Sequence, residues 1–102
     1  MKQAANTTAG ATVALVLHAH DNVATALRPL EAGQTVQLQG VAAIDDTVQV
    51  QQAIGMCHKF ALCDIAQGDM VRKHGEVIGR ATQAIRIGAH VHVHNLRSNR
   101  AT

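Results

Sequence analysis

One spacing recurs three times along this chain and restricts its fold more than any other feature. Ala26, Leu30, Gly33 and Val36 stand at the same intervals as Ala61, Ile65, Gly68 and Val71, and Ala81, Ile85, Gly88 and Val91 repeat them. The shared pattern is A-x-x-x-(L/I)-x-x-G-x-x-V. Such a unit reads as strand, turn, strand: the glycine falls where the chain reverses and φ turns positive, and the valine opens the next extended segment. In the first copy Asp21 and Pro29 also have the chemistry of a helix N-cap and stop. The match to the other two copies, with their alternating and β-branched residues, decides for strand. Three units in 102 residues are too few for a solenoid and read as pseudo-repeats inside one β core.

Further strands are expected at Thr12–His18, Thr35–Leu38, Thr47–Val50, Cys57–Leu62, Glu76–Ala81 and His90–His94. They are short, separated by Gly or Asp, and no window carries a long 3.6-residue apolar stripe. The expected class is all-β: one domain of folded-over hairpins, with a Val/Ile/Leu/Ala core and little helix. Its expected extent is 12–96, between a small, polar N-terminal tail at 1–11 and a C-terminal tail at 97–102. Hydrophobic residues at 47% against 16% charged suit a globular chain rather than a disordered one.

Composition also narrows the function. A net charge of +2 and a single aromatic residue, Phe60, exclude a strong field for nucleic acid and a base-stacking platform. Cys57 and Cys63 cannot build a disulfide framework and read as reduced, small, buried hydrophobes. The apolar run 9–17 follows only one positive charge and ends in His18-Ala19-His20-Asp21, not at a small-x-small cleavage site. No stretch approaches the ~20 apolar residues of a membrane span, so the expected setting is cytoplasmic, without a membrane partner.

The chemistry points to histidine. There are seven, and His90, His92 and His94 alternate with Val91 and Val93. In a strand the three imidazoles share one face, and neighbours ~6–7 Å apart can converge pairwise on one ion. His18 and His20 form a second His-x-His pair, followed by Asp21 and Asn22, and His58-Lys59 sets a cation beside an imidazole, which suits a carboxylate or phosphate. The competing reading is an exposed edge strand whose histidines make ordinary hydrogen bonds and whose lysine is solvated. The chain has no P-loop, no Gly-x-Ser-x-Gly and no complete nucleophile–base–oxyanion set. Any enzyme it serves therefore draws only part of an active site from it.

Four stretches carry a resemblance: His18-x-x-Asp21-Asn22-Val23-Ala24, His58-Lys59-Phe60-Ala61-Leu62, Gly75-Glu76-Val77-Ile78-Gly79 and His92-Val93-His94-Asn95. Together, over about Val13 to Leu96, they resemble the SAF domain of the altronate/galactarate dehydratase family, a group that includes the small subunit of sulfolactate sulfo-lyase. The resemblance implies a β-clip fold, a long bent two-stranded ribbon folded on itself. It implies a lyase role as the small subunit of a sugar-acid hydro-lyase such as altronate dehydratase, incomplete without a large subunit and assisted by a divalent metal, commonly Fe2+ with Mn2+ as the alternative. Elimination of sulfite from a sulfo-acid, or a non-catalytic SAF binding module, are the alternatives. On this footing the expected catalytic residues are His58 and Lys59, the substrate-binding residues Asp21, Asn22 and Asn95, and the metal ligands His18, His92 and His94. The family often has proline where Ala19 stands, glycine at Cys57 and arginine at Cys63. The open edges of a hairpin domain also invite self-association.

Overall fold

The computed structural model describes residues 14–40 and 47–98, so the N-terminal tail, Thr12 and Val13 of the first expected strand and the end of the C-terminal tail lie outside the described residues. Among the described residues nine strands run in order: β1 (Ala14–Val16), β2 (Val23–Ala26), β3 (Thr35–Gly40), β4 (Thr47–Gln49), β5 (Lys59–Ala61), β6 (Met70–Lys73), β7 (Glu76–Ala81), β8 (His90–Val91) and β9 (Leu96–Ser98). No helix occurs among the described residues, and the all-β class holds. The strands form a six-stranded sheet in the order β4-β3-β1-β2-β5-β8 and a three-stranded sheet in the order β6-β7-β9. Pairing is antiparallel except between β1 and β3, which run parallel, so one connection is a crossover rather than a hairpin.

The repeated unit has the conformation its spacing predicts. Gly33, Gly68 and Gly88 take φ of 85°, 88° and 84°, each at the tip of a turn. The structure contains a fourth copy over 50–60, in which Val50, Ile54, Cys57 and Phe60 replace the alanine, Leu/Ile, glycine and valine. Cys57 holds the same left-handed backbone as the glycines, with φ of 69°. The four turns associate in two reciprocal pairs. Leu30 bridges Ile54, and Ile65 bridges Ile85, each pair exchanging both backbone hydrogen bonds. The turn-tip amides complete the pattern: Cys57 N–H donates to the Ala26 carbonyl and Gly33 N–H to Val50, just as Gly88 N–H donates to Ala61 and Gly68 N–H to Ala81.

Each pair owns a core. One contains Leu30, Val36, Val50, Ile54 and Phe60; the other contains Ile65, Val71, Ala81, Ile85 and Val91. Strands β2 and β5 separate them and face both ways, since side chains alternate along a strand. Val23 and Ala61 point into the second core, Ala24 and Phe60 into the first. Ala24 lies opposite Phe60 in the register, a small residue beside the one large ring. Burial on both faces is why Val23–Ala26 shows no polar alternation despite being a strand.

Two expectations need correction. The strand expected at His90–His94 ends at Val91, and residues 92–95 turn away, leaving Val93 81% exposed rather than packed. Cys57 and Cys63 are both exposed, because one sits at a turn tip and the other in the bend after β5, not in the core. Strand β9 takes in Arg97 and Ser98, which lie opposite Arg80 and Gly79 of β7. Ladder pairing needs no particular side chain, so their polar composition reads as tail in sequence. No helix of the described residues is long and apolar enough to cross a membrane.

Candidate functional site

His58 directly follows the turn tip at Cys57, and His90 follows the turn tip at Gly88 by two residues, directly after Ala89. Strand β5 pairs with β8, with Phe60 opposite His90 and Lys59 opposite Val91, and this register carries the two histidine-bearing turns to the same edge. His58 Nδ1 lies 2.8 Å from His90 Nε2, so one ring donates its proton to the lone pair of the other. The His92 ring stacks on His58 at 4.4 Å between centroids and lies 5.3 Å from His90. His94, exposed, tilts against His90 at 5.4 Å. One ligand nitrogen from each of His58, His90 and His92 falls within 4.8 Å of the others, with no carboxylate or thiolate in the group, among the described residues.

The loop that brings His90 and His92 together is held by Asn95, 4% exposed. Its Oδ1 accepts from the His92 N–H and its Nδ2 donates to the His90 carbonyl. Gln52 Oε1 accepts the His90 N–H, tying the cluster to the segment before the Cys57 turn. Burial lowers the His90 pKa to about 4, with the positive charges of His58, His92, His94 and Lys59 acting in the same sense. His92 is lowered by burial and then by His58, Lys59 and His94. Lys59 is lowered by burial and by nearby Lys73. Burial and neighbouring positive charge thus favour the neutral form of the His90 and His92 rings, with lone pairs available.

Three imidazole nitrogens at these separations could hold a divalent ion. With bonds of ~2.0–2.1 Å, two ligands at right angles stand about 2.9 Å apart and two opposite ones about 4.1 Å. The His58–His90 contact already matches the first figure, and the widest separation closes by less than about 1 Å of ring movement.

The other expected site residues lie elsewhere or have their polar atoms engaged. His18 stands with His20 at 5.2 Å, its ring seated over Gly75, where a Cβ would meet it at 2.8 Å. Strand β2 separates this bend from the cluster: Leu62 N–H bonds the Asn22 carbonyl at one end, and Ala26 N–H the His58 carbonyl at the other. Four residues of strand span about 13 Å, so His18 does not join His92 and His94. Asp21 accepts from the His74 and Gly75 amides, both at 2.8 Å. Asn22 donates to the Met70 carbonyl and accepts from the Arg72 N–H. These two residues clasp the β6–β7 hairpin, as Asn95 clasps the histidine loop. Sequence reasoning placed His90 among the alternating imidazoles but not among the site residues. The fourth copy, over 50–60, is the available signal: it sets His58 one residue past its turn tip, much as His90 stands two residues past Gly88 in the copy over 81–91.

Residues 12–99 match the family model described as the altronate/galactarate dehydratase SAF domain. The chain is 46% identical over 83 residues to altronate dehydratase of Escherichia coli (strain K12), and 40% identical over 83 residues to that of Bacillus subtilis (strain 168). Both alignments cover 81% of this chain and 16% of the relative, so it spans about a sixth of those proteins. It is 46% identical over 74 residues to (2R)-sulfolactate sulfo-lyase subunit alpha of Chromohalobacter salexigens, covering 70% of this chain and 77% of that subunit. The all-strand architecture, the paired turns and these alignments agree, and the chain belongs to the altronate/galactarate dehydratase SAF domain family.

Proposed function

We propose that this chain is the SAF subunit of a hydro-lyase that eliminates water from a hydroxy-acid of the altronate type, acting with a separate large subunit and inactive without it. The observation that carries the reading is the convergence of His58, His90 and His92 at one edge, within the electrostatic reach of Lys59. Altronate dehydratase is about six times longer than the matched region, and a relative of comparable length is named as a subunit, which supports a two-chain arrangement.

Dehydration removes a weakly acidic proton α to a carboxylate and expels a hydroxyl as water, so it needs a base, an acid and positive charge near the developing enediolate. Lys59 supplies a donor for the substrate carboxylate. His58, held against His90, accepts or returns a proton at its ring nitrogen. Asp21, Asn22 and Asn95 keep the two loops in place through the backbone bonds described above. A divalent cation, Fe2+ first and Mn2+ second, belongs to the reading and supplies Lewis acidity toward the substrate oxygens when bound. The proposed setting is the cytoplasm, with no membrane or nucleic-acid partner, and with self-association through open sheet edges.

The second reading is a sulfolactate sulfo-lyase subunit, expelling sulfite in place of water. Its support is length, since the match covers 77% of that subunit against 16% of altronate dehydratase. The test is turnover of altronate and of (2R)-sulfolactate by the large subunit with and without this chain. We expect activity on altronate only with both chains, and a loss of about 100-fold or more in kcat for His58→Ala and Lys59→Ala. Turnover unchanged by omitting the chain overturns the reading in favour of a non-catalytic module, and turnover of sulfolactate alone transfers it to the second.

A further inference from the structure

We propose that His58, His90 and His92 form a transition-metal site carried entirely by this chain, with coordination positions left open to a bidentate 2-hydroxy-carboxylate. This deepens the reading above by fixing the ligand set and the ligand class, and it rests on that reading only for the identity of the anion.

The fold itself holds the three rings together. Two come from different turns of the same kind, and the β5–β8 register sets those turns side by side. The third follows on the same loop, whose course Asn95 fixes by bonding the backbone at both His90 and His92. The rings are close to parallel, with interplanar angles of 20°, 18° and 11°. Two of their nitrogens already meet at 2.8 Å, a contact in which one ring must present a lone pair. An ion with bonds of ~2.0–2.1 Å does not fit on the line between nitrogens 2.8 Å apart, so its binding displaces that shared proton and turns the two rings about their side-chain torsions.

The composition of the group sets the class of ion. Nitrogen donors without carboxylate favour Fe2+, Co2+ or Zn2+ over Ca2+ and Mg2+, which prefer oxygen. It also sets what the ion attracts. Three neutral imidazoles leave its full double charge, and three protein ligands leave sites for exogenous oxygens. Lys59 adds to the field that His90 and His92 sense. All three imidazoles are only part-buried, so a small anion has access from solvent. A 2-hydroxy-carboxylate fits such a face because its carboxylate and hydroxyl oxygens chelate while its charge offsets that of the ion.

The chain alone, freed of metal with a chelator, is titrated with Co2+ at neutral pH, and visible absorption and calorimetry are recorded. The expected result is one ion per chain, with Ca2+ giving no heat. His58→Ala and His92→Ala weaken binding by about 100-fold or more, at or beyond the ~10–100-fold cost of losing an outer-shell partner. A His18→Ala, His20→Ala double variant binds as the parent does. Thermal melts of each variant separate lost ligands from lost fold, and His58→Gln serves as the near-isosteric replacement. Glycolate shifts the Co2+ absorption bands, whereas acetate at the same concentration shifts them less.

Absence of Co2+ binding overturns the proposal, as does binding that survives His58→Ala and His92→Ala or disappears in the His18/His20 variant. Bands that glycolate leaves unmoved overturn the open-face part. None of these measurements involves the large subunit or turnover, so their failure is distinct from failure of the lyase reading.

Discussion

Cys57 holds a φ of 69° at a position where its three counterparts are glycines. An L residue pays about 1–2 kcal/mol in that region, and replacing it by glycine costs about 0.4–1 kcal/mol in unfolded-chain entropy. Cys57→Gly is therefore expected to raise stability by about 0.5–1 kcal/mol, read as a higher urea midpoint at constant slope. A lower midpoint shows that the thiol contributes contacts that outweigh the backbone term. Identity at this position was legible only by family resemblance, because cysteine hides the turn that the other copies announce. Asn95 gives the converse lesson. Its place in His92-Val93-His94-Asn95 suggests a ligand contact, whereas in the fold both ends of its amide serve the backbone of its own loop. Nothing in residue type separates the two uses, since the same donor and acceptor serve either.

At the scale of elements, the paired turns are the unit of stability. Ile65 and Ile85 bridge each other and share one core, while Ile54 belongs to the other. Each Ile→Ala change is expected to cost about 2–5 kcal/mol. Combined, Ile65→Ala and Ile85→Ala should fall short of additivity by about 0.5–3 kcal/mol, since the second deletion enlarges a cavity already present. Ile54→Ala with Ile85→Ala should add within about 0.5 kcal/mol. Denaturant titrations of the two cycles check this, and equal coupling in both would mean a single undivided core. The turns themselves were legible, because their spacing is local. Their partnership was not: copies 26–36 and 50–60 pair across an intervening strand pair, and no local rule selects that partner over the other two.

For the whole molecule, acidification couples the histidine edge to folding. His90 titrates near 4 in the folded chain against 6.5 unperturbed, so between these values the unfolded chain binds more protons. Stability is therefore full above about pH 6.5 and declines as pH falls toward about 4. Melts of the metal-free chain at pH 7.5 and 4.5 should show the drop, and His90→Gln should reduce it. A drop of equal size in the variant would assign it to other groups.

The residue types alone determined the strand class, the positive-φ turns and the choice of histidine as the chemical residue, because each depends on neighbours within about ten positions. Which histidines meet was decided only by tertiary structure. The alternation His90-Val91-His92-Val93-His94 predicts one continuous strand face, but Asn95 turns the chain after Val91 and folds His92 onto His58. His18 is kept away by the length of β2, a separation that exists only once β2 pairs with β5. Spacing along the chain sets which side chains share a face; pairing between strands distant in sequence sets which faces share a site.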